Sequence, residues 1–296
     1  MADLIRLDAP PLEADVALAH EATRALVSWN ARAPRGSIEL AASFPDGSRS
    51  PWLAFVRWSE GERSSQYGCA GGLELAVDTA LATPPLRTLH VRSEVALDAL
   101  WIATPTQPGG GDDATVNARP VELDVPAYSQ YPPGHEHERG WCSPASLAML
   151  LAYWGRPLAV PAVAAAVYDT AYGGAGNWAF NTAFAGALGF AAATAYLRGL
   201  GHALQFLAAG IPLAVSIAWR EGALPGAPLP ASAGHLLVVR GLGADGTVLV
   251  NDPAGRDVRG AYPACAFERA WLGHGGVAYL IAPSERAAQL LDLANQ

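Results

Sequence analysis

The 296-residue chain contains no lysine, and its nineteen basic residues are all arginine. A Schiff-base mechanism and the lysine of a P-loop are therefore excluded. Cysteine is scarce too. Cys69, Cys142 and Cys265 are odd in number and far apart, which excludes a disulfide framework and a four-cysteine zinc site. Charge is thin, at 16% of residues against 51% hydrophobic, so the chain can bury a large core and wholesale disorder is excluded. A net charge of −8 argues against a nucleic-acid partner. Nothing in the composition calls for a metal or another cofactor.

The opening residues, Met1-Ala-Asp-Leu-Ile-Arg-Leu-Asp8, place acids where a signal peptide needs a basic region and an apolar stretch. As written, the sequence predicts a cytoplasmic protein, unless an export segment has been removed. Residues 170–197 and 199–219 carry no charge. Five glycines and Asn177, Asn181 and Thr182 in the first run, and His202, Gln205 and Pro212 in the second, favour buried globular segments over membrane spans.

Residues 106–120 form the one long stretch dense in proline, glycine and polar residues, and read as a linker between domains at 1–105 and 121–296. Before it, alternating runs lie at Ser37–Ala41, Trp52–Trp58, Leu73–Val77, Leu86–Val95 and Ala99–Thr104, with turn signals between them. They predict an all-β, sandwich-like domain, preceded by a short helix over 13–27. After the linker, Ser143 to Gly155 predicts a helix capped by Ser143, with Pro144 in its first turn and Gly155 as its stop. A second helix is expected over Pro161–Tyr168 and a terminal one from Ser284. Strands are expected at Leu213–Trp219, His235–Arg240, Thr247–Asn251 and Val277–Ala282. Helices first and strands later give an α+β class with an antiparallel sheet.

Cys142 sits where that helix begins. Free amide hydrogens and the helix dipole favour an anion there, which lowers a thiol pKa. Placement alone leaves two readings open, a nucleophile or a small buried hydrophobe. A nucleophile also needs a base and a group to orient it. His235 starts one predicted strand and Asp252 ends the next, with Ala244-Asp-Gly246 as the turn. If residues 244 and 245 centre that turn, positions summing to 489 face each other. Asp252 is then the diagonal neighbour of His235 on the same face, unless a bulge reverses the parity. On its own, His235 reads more readily as a core histidine than as a base.

Gly140-Trp-Cys-Ser-Pro-Ala-Ser-Leu-Ala-Met-Leu-Leu-Ala-Tyr-Trp-Gly155 resembles the nucleophile segment of cysteine peptidase-like domains related to the bacteriocin-leader (double-glycine) peptidases, of the papain-like superfamily. Val125-Pro-Ala-Tyr-Ser-Gln130 resembles the glutamine motif of that family, Gly234-His-Leu-Leu-Val-Val239 its histidine motif, and Val250-Asn-Asp-Pro253 its acid motif. Gly174–Asn181 and Phe267–Trp271 resemble segments of its stand-alone bacterial branch, and Ser28-Trp-Asn-Ala31 the β-rich domain before it. The resemblance implies a papain-like domain with Cys142 as nucleophile, His235 as base and then acid, Asp252 orienting the imidazole, and Gln130 donating to the oxyanion. Gln130 lies farther from the cysteine than in the leader-processing enzymes. No transporter or ATPase motif accompanies the four, so leader cleavage coupled to export is not implied.

His135-Glu-His-Glu138 is not HExxH, because Arg139 stands where the second histidine belongs. It reads as a solvated loop at the rim of the cleft. Asn177 and Trp178 are candidate substrate contacts, with buried packing as the competing reading. The expectation is a thiol hydrolase acting on a peptide or protein, with glycan or protein contact through the amino-terminal domain. The alternatives are a papain-like acyltransferase and a catalytically silent binding protein. Limited iodoacetamide on the native protein should modify Cys142 before Cys69 and Cys265, as mapped by mass spectrometry. Equal labelling of the three thiols removes the case for an activated Cys142.

Overall fold

The computed structural model describes residues 3–105, 119–135 and 139–296. Most of the expected linker, residues 106–118, lies outside them. The amino-terminal half forms a nine-stranded antiparallel sheet built from β1 (Asp3–Asp8), β2 (Glu13–Asn30), β3 (Gly36–Ser43), β4 (Leu53–Ser59), β5 (Glu62–Ser65), β6 (Gly68–Ala70), β7 (Leu73–Ala76), β8 (Thr79–Ser93) and β9 (Ala99–Thr104). Its order is β1-β9-β2-β8-β3-β4-β5, with β6 and β7 added along β8. The sheet is continuous and folds over itself. Leu73 and Leu75 at one end share a core with Ile38, Leu40 and Phe55 at the other.

The helix expected over 13–27 is a strand instead. Ala14, Val16 and Leu18 are buried in strict alternation, and bulges between Ala17 and Arg24 then carry β2 across to its second set of partners. The period is two, not 3.6, and the bulges disguise it.

The carboxy-terminal half is a helix-and-sheet layer. The helices are α1 (Cys142–Tyr153), α2 (Val160–Val167), α3 (Trp178–Ala187), α4 (Leu200–Ala208), α5 (Ala264–Leu272) and α6 (Ala287–Asn295). The strands are β10 (Val121–Glu122), β11 (Phe190–Tyr196), β12 (Leu213–Trp219), β13 (Ser232–Leu242), β14 (Thr247–Asn251), β15 (Arg259–Pro263) and β16 (Val277–Pro283), in the order β11-β16-β12-β13-β14-β15. β10 joins beside the end of β13, where a side chain at Gly241 would meet the Val121 carbonyl at 2.2 Å. Glycine is required by that approach.

This sheet is buried on both faces. Ala214, Leu236 and Val238 point toward α1, while Val215, Leu237 and Val239 point into a second core with α4, α5 and α6. Two covered faces demand near-continuous apolar strands, which explains the uncharged run through 199–219. Among the described residues no helix is long and apolar enough to cross a membrane.

The two halves share a core. Leu4, Leu26 and Trp101 pack with Ala191, Ala193 and Ala195 of β11, and Phe180 of α3 enters the amino-terminal core against Trp29. Along Ser28-Trp-Asn30 the strand alternation splits the duties. Trp29 faces the amino-terminal core, Ser28 Oγ accepts from Thr194 N at 3.1 Å, and Asn30 Nδ2 donates to the Ala192 carbonyl at 2.8 Å. Asn30 Oδ1 also accepts from Trp101 Nε1 at 3.1 Å. Asn30→Ala leaves buried donors and an acceptor unpaired, so it should lower stability by about 3 kcal/mol. Urea unfolding measures this, and a loss within error of zero would show that the Asn30 bonds to Trp101 and Ala192 contribute nothing to stability.

Candidate active site

Cys142 is the first helical residue of α1, and Trp141 precedes it as N-cap without a side-chain bond. The expected cap by Ser143 is not made. Ser143 Oγ is 2.8 Å from the Tyr279 hydroxyl, so the serine ties the start of α1 to the sheet. Trp154 Nε1 donates to the Ile281 carbonyl at 2.8 Å and ties down the other end. Gly155 does stop the helix, at φ 81° with its N–H on the Ala152 carbonyl. Between these anchors every residue from Ser143 to Leu151 is buried, so the cysteine stands on a fixed platform.

His235 lies on β13 beside Ile217 of β12. Its Nε2 is 2.8 Å from Asp252 Oδ1, and both side chains are almost wholly buried. The hairpin that pairs them has two irregularities that cancel. Near the turn, positions sum to 490 (Leu242 with Val248), because the turn is one residue longer than a two-residue centre at 244 and 245. A bulge between Val239 and Gly241 restores 489, so Val238 faces Asn251. His235 and Asp252 thus meet diagonally, as the simpler register predicts.

Asp252 has further support. Tyr262 of β15 donates its hydroxyl to Oδ2 at 2.6 Å, and the Ala254 amide donates to Oδ1 at 2.9 Å. Burial alone would raise this carboxyl, but His235, Tyr262 and Ala254 outweigh it and hold the pKa below the ordinary carboxylate value. The Trp219 ring meets His235 edge to face at 5.8 Å.

The bond to Asp252 occupies Nε2 and leaves Nδ1 for the thiol, which shares a hydrogen bond with His235. Burial works against the imidazolium, yet hydrogen bonds to Asp252 and Cys142, with their negative charges, push His235 up to about 10. Burial also opposes the thiolate. The His235 hydrogen bond and charge, with the backbone amides of Leu236 and Ser143, overcome it and hold the Cys142 thiol below its ordinary value. Each group thus favours the charged form of the other, an imidazolium beside a thiolate.

The thiol opens onto a cleft of about 620 Å³. Its walls include Arg139 and Gly140, the segment Tyr172–Gly176, Trp178, Leu236 and His274, and the amino-terminal residues Ala76, Val77 and Asp78. Of the rim expected at His135–Glu138, residues 136–138 lie outside the described residues, and the adjoining Arg139 borders the cleft. Trp178 lines the cleft. Asn177 is buried, with Oδ1 capping α3 at Phe180 N and Nδ2 donating to Asp169 at 2.8 Å. Gln130 is buried next to the acid segment, its N–H donating to the Pro253 carbonyl at 2.9 Å, and among the described residues its Oε1 has no partner. Sequence reasoning missed Tyr262, Trp219 and Asp78. Tyr262 alone gave a signal, as an aromatic two strands away whose hydroxyl needs a partner when buried.

His235→Ala removes the charge that stabilises the thiolate. The pH midpoint of Cys142 alkylation should move up from its wild-type position toward that of an ordinary thiol. An unchanged midpoint would show that the imidazole does not set the charge on sulfur.

Residues 122–279, more than half of the chain, match the model of the Peptidase_C39 like family. No curated protein matches the chain. Two solved structures each align over 56% of it. One is a C39-like peptidase from Bacillus anthracis, at 18% identity over 98% of that chain with TM-score 0.43. The other is a double glycine motif protease from an AMS/PCAT transporter in complex with the leader peptide, at 22% identity over 99% of that chain with TM-score 0.39. The matched segment spans the helix that begins at Cys142 and the hairpin that pairs His235 with Asp252, and on the strength of that match the chain belongs to the Peptidase_C39 like family, with its papain-like α+β architecture.

Proposed function

We propose that the protein is a thiol hydrolase that cleaves a peptide or related acyl bond, with Cys142, His235 and Asp252 as its catalytic groups. The reading rests on the buried chain from Asp252 through His235 to a thiol of lowered pKa at a helix start, open to a cleft. A buried charge network shifted this way and facing a cavity suits nucleophilic catalysis.

The Cys142 thiolate attacks the carbonyl carbon, a C–S bond forms, and the carbonyl π electrons move onto oxygen. Amide hydrogens at the start of α1 and the Gln130 side-chain amide are the proposed donors to that oxyanion. Collapse breaks the C–N bond, and the leaving amine takes the imidazolium proton. His235 then accepts a proton from water as the water attacks the thioester, and collapse breaks the C–S bond, which releases the acid and restores the Cys142 thiolate beside the His235 imidazolium. Asp252 keeps the ring turned for both transfers. Trp178 walls the cleft beside the acyl group, and Asn177 acts at one remove by fixing the start of α3.

The test is a peptide library incubated with wild type and Cys142→Ala, with cleavage sites read by mass spectrometry. Cleavage by wild type alone, with a loss on the order of 10³-fold or more in the variant, is expected for removal of a covalent nucleophile. Products that incorporate an added amine in preference to water would make the protein an acyltransferase. Tight peptide binding without turnover would make it a silent binding protein.

A further inference from the structure

The turn between β7 and β8 belongs to the amino-terminal sheet, yet Val77 and Asp78 line the cleft that holds Cys142. Val77 sits at φ 59°, in the left-handed region that β-branched residues avoid. Glycine or asparagine would relieve that turn, so valine keeps the conformation only because its surroundings impose it.

The strained turn delivers a carboxylate. Asp78 Oδ2 accepts from Trp178 N at 2.9 Å, and Oδ1 accepts from Thr79 Oγ1 at 3.2 Å. A carboxylate offers about four acceptor sites, so capacity remains on both oxygens. Among the described residues no arginine or histidine lies within ion-pair reach of it, although Arg139 borders the same cleft. Burial pushes its pKa up to about 6 against the pull of the Trp178 and Thr79 donors, and the like charge of Asp169 adds to the rise. Tyr172 and Trp178, aromatic residues of the kind that attract cations, line the same cleft. A half-buried carboxylate, fixed in place and lacking a counter-ion, is matched by an incoming cation.

We propose that Asp78 is the carboxylate of a substrate subsite, supplied by the amino-terminal domain to the Cys142 cleft, which selects an ammonium or guanidinium group near the scissile bond. The proposal rests on the thiol-hydrolase reading. A purely structural role, capping α3 and docking the two halves, is the competing account.

Acyloxymethyl ketones on one peptide scaffold, with lysine or norleucine at successive positions, separate the two without needing turnover. Each rate of Cys142 modification is divided by the iodoacetamide rate of the same protein. In wild type, lysine at one position should exceed norleucine by about tenfold, the equivalent of one charge-assisted contact. Asp78→Asn keeps an oxygen for Trp178 N–H but loses the charge, and should bring the ratio near one. Asp78→Glu should keep a lysine preference. If Asp78→Asn does not fold, collapse of the wild-type ratio in high salt carries the same information. No lysine preference at any position, or one that Asp78→Asn retains, overturns the subsite. If iodoacetamide modifies Cys142 no faster than Cys69 and Cys265, the hydrolase reading itself fails, and the subsite falls with it.

Discussion

A carboxylate almost removed from water imposes conditions on everything around it. Asp252 holds its charge inside the protein only because His235 Nε2, the Tyr262 hydroxyl and the Ala254 amide converge on its two oxygens. These donors come from β13, from β15 and from the turn that leaves β14, so the pairing of three strands is a precondition for the charge. Removing one partner would leave a buried charge uncompensated, which is far more damaging than losing a surface ion pair. The same bond fixes the imidazole and settles which ring nitrogen is left for sulfur. The start of α1 must then bring Cys142 to that nitrogen within a few tenths of an ångström, and the helix is accordingly anchored at both ends and buried along its length.

Much of this was legible in the sequence where the signals were local. The strands Leu213–Trp219, Thr247–Asn251 and Ala99–Thr104 fall as their apolar runs predict, because β-branched and aromatic residues bounded by turn formers admit little else. The pairing of His235 with Asp252 was also readable, though through compensation. The longer turn and the bulge after Val239 each shift the register by one residue in opposite senses. Neither shift is visible from residue types, since Gly243 to Thr247 suits more than one turn. The start of α1 was placed within a residue, but its capping was not. Ser143 faces a tyrosine 136 positions away, and a local capping rule cannot anticipate a competing partner so distant.

Long-range polar partners account for most of the rest. Asp169, fully buried, accepts from Ser65 N at 3.0 Å and from Asn177 Nδ2 at 2.8 Å, and so joins the amino-terminal sheet to the segment before α3. In the sequence it is an acid between a helix and a glycine-rich stretch, with nothing to distinguish it from a solvated loop residue. The contact between the two halves was hidden for a different reason. Composition marks where the chain is rich in glycine and proline, but not whether the surfaces on either side are apolar and meet. Here Trp101 and Phe180 each belong to one half by sequence and to a shared core by packing.

That shared core decides what the amino-terminal half can do for the cleft. A loosely tethered module could bring a substrate near but could not hold a side chain at a fixed place in the wall. The Val77-Asp78 turn is held by the bond from Trp178 N, at the start of the helix whose Phe180 packs against Trp29. Among the described residues Asp78 and Asp252 have no hydrogen-bonding partner in common. The first is held by Trp178 and Thr79, the second by His235, Tyr262 and Ala254. Networks without common members perturb one another weakly. The wall at residues 76–78 is therefore held by bonds separate from those that orient the imidazole. The family-matched segment supplies that pair, and the strands outside it supply a wall of the space in which the pair works.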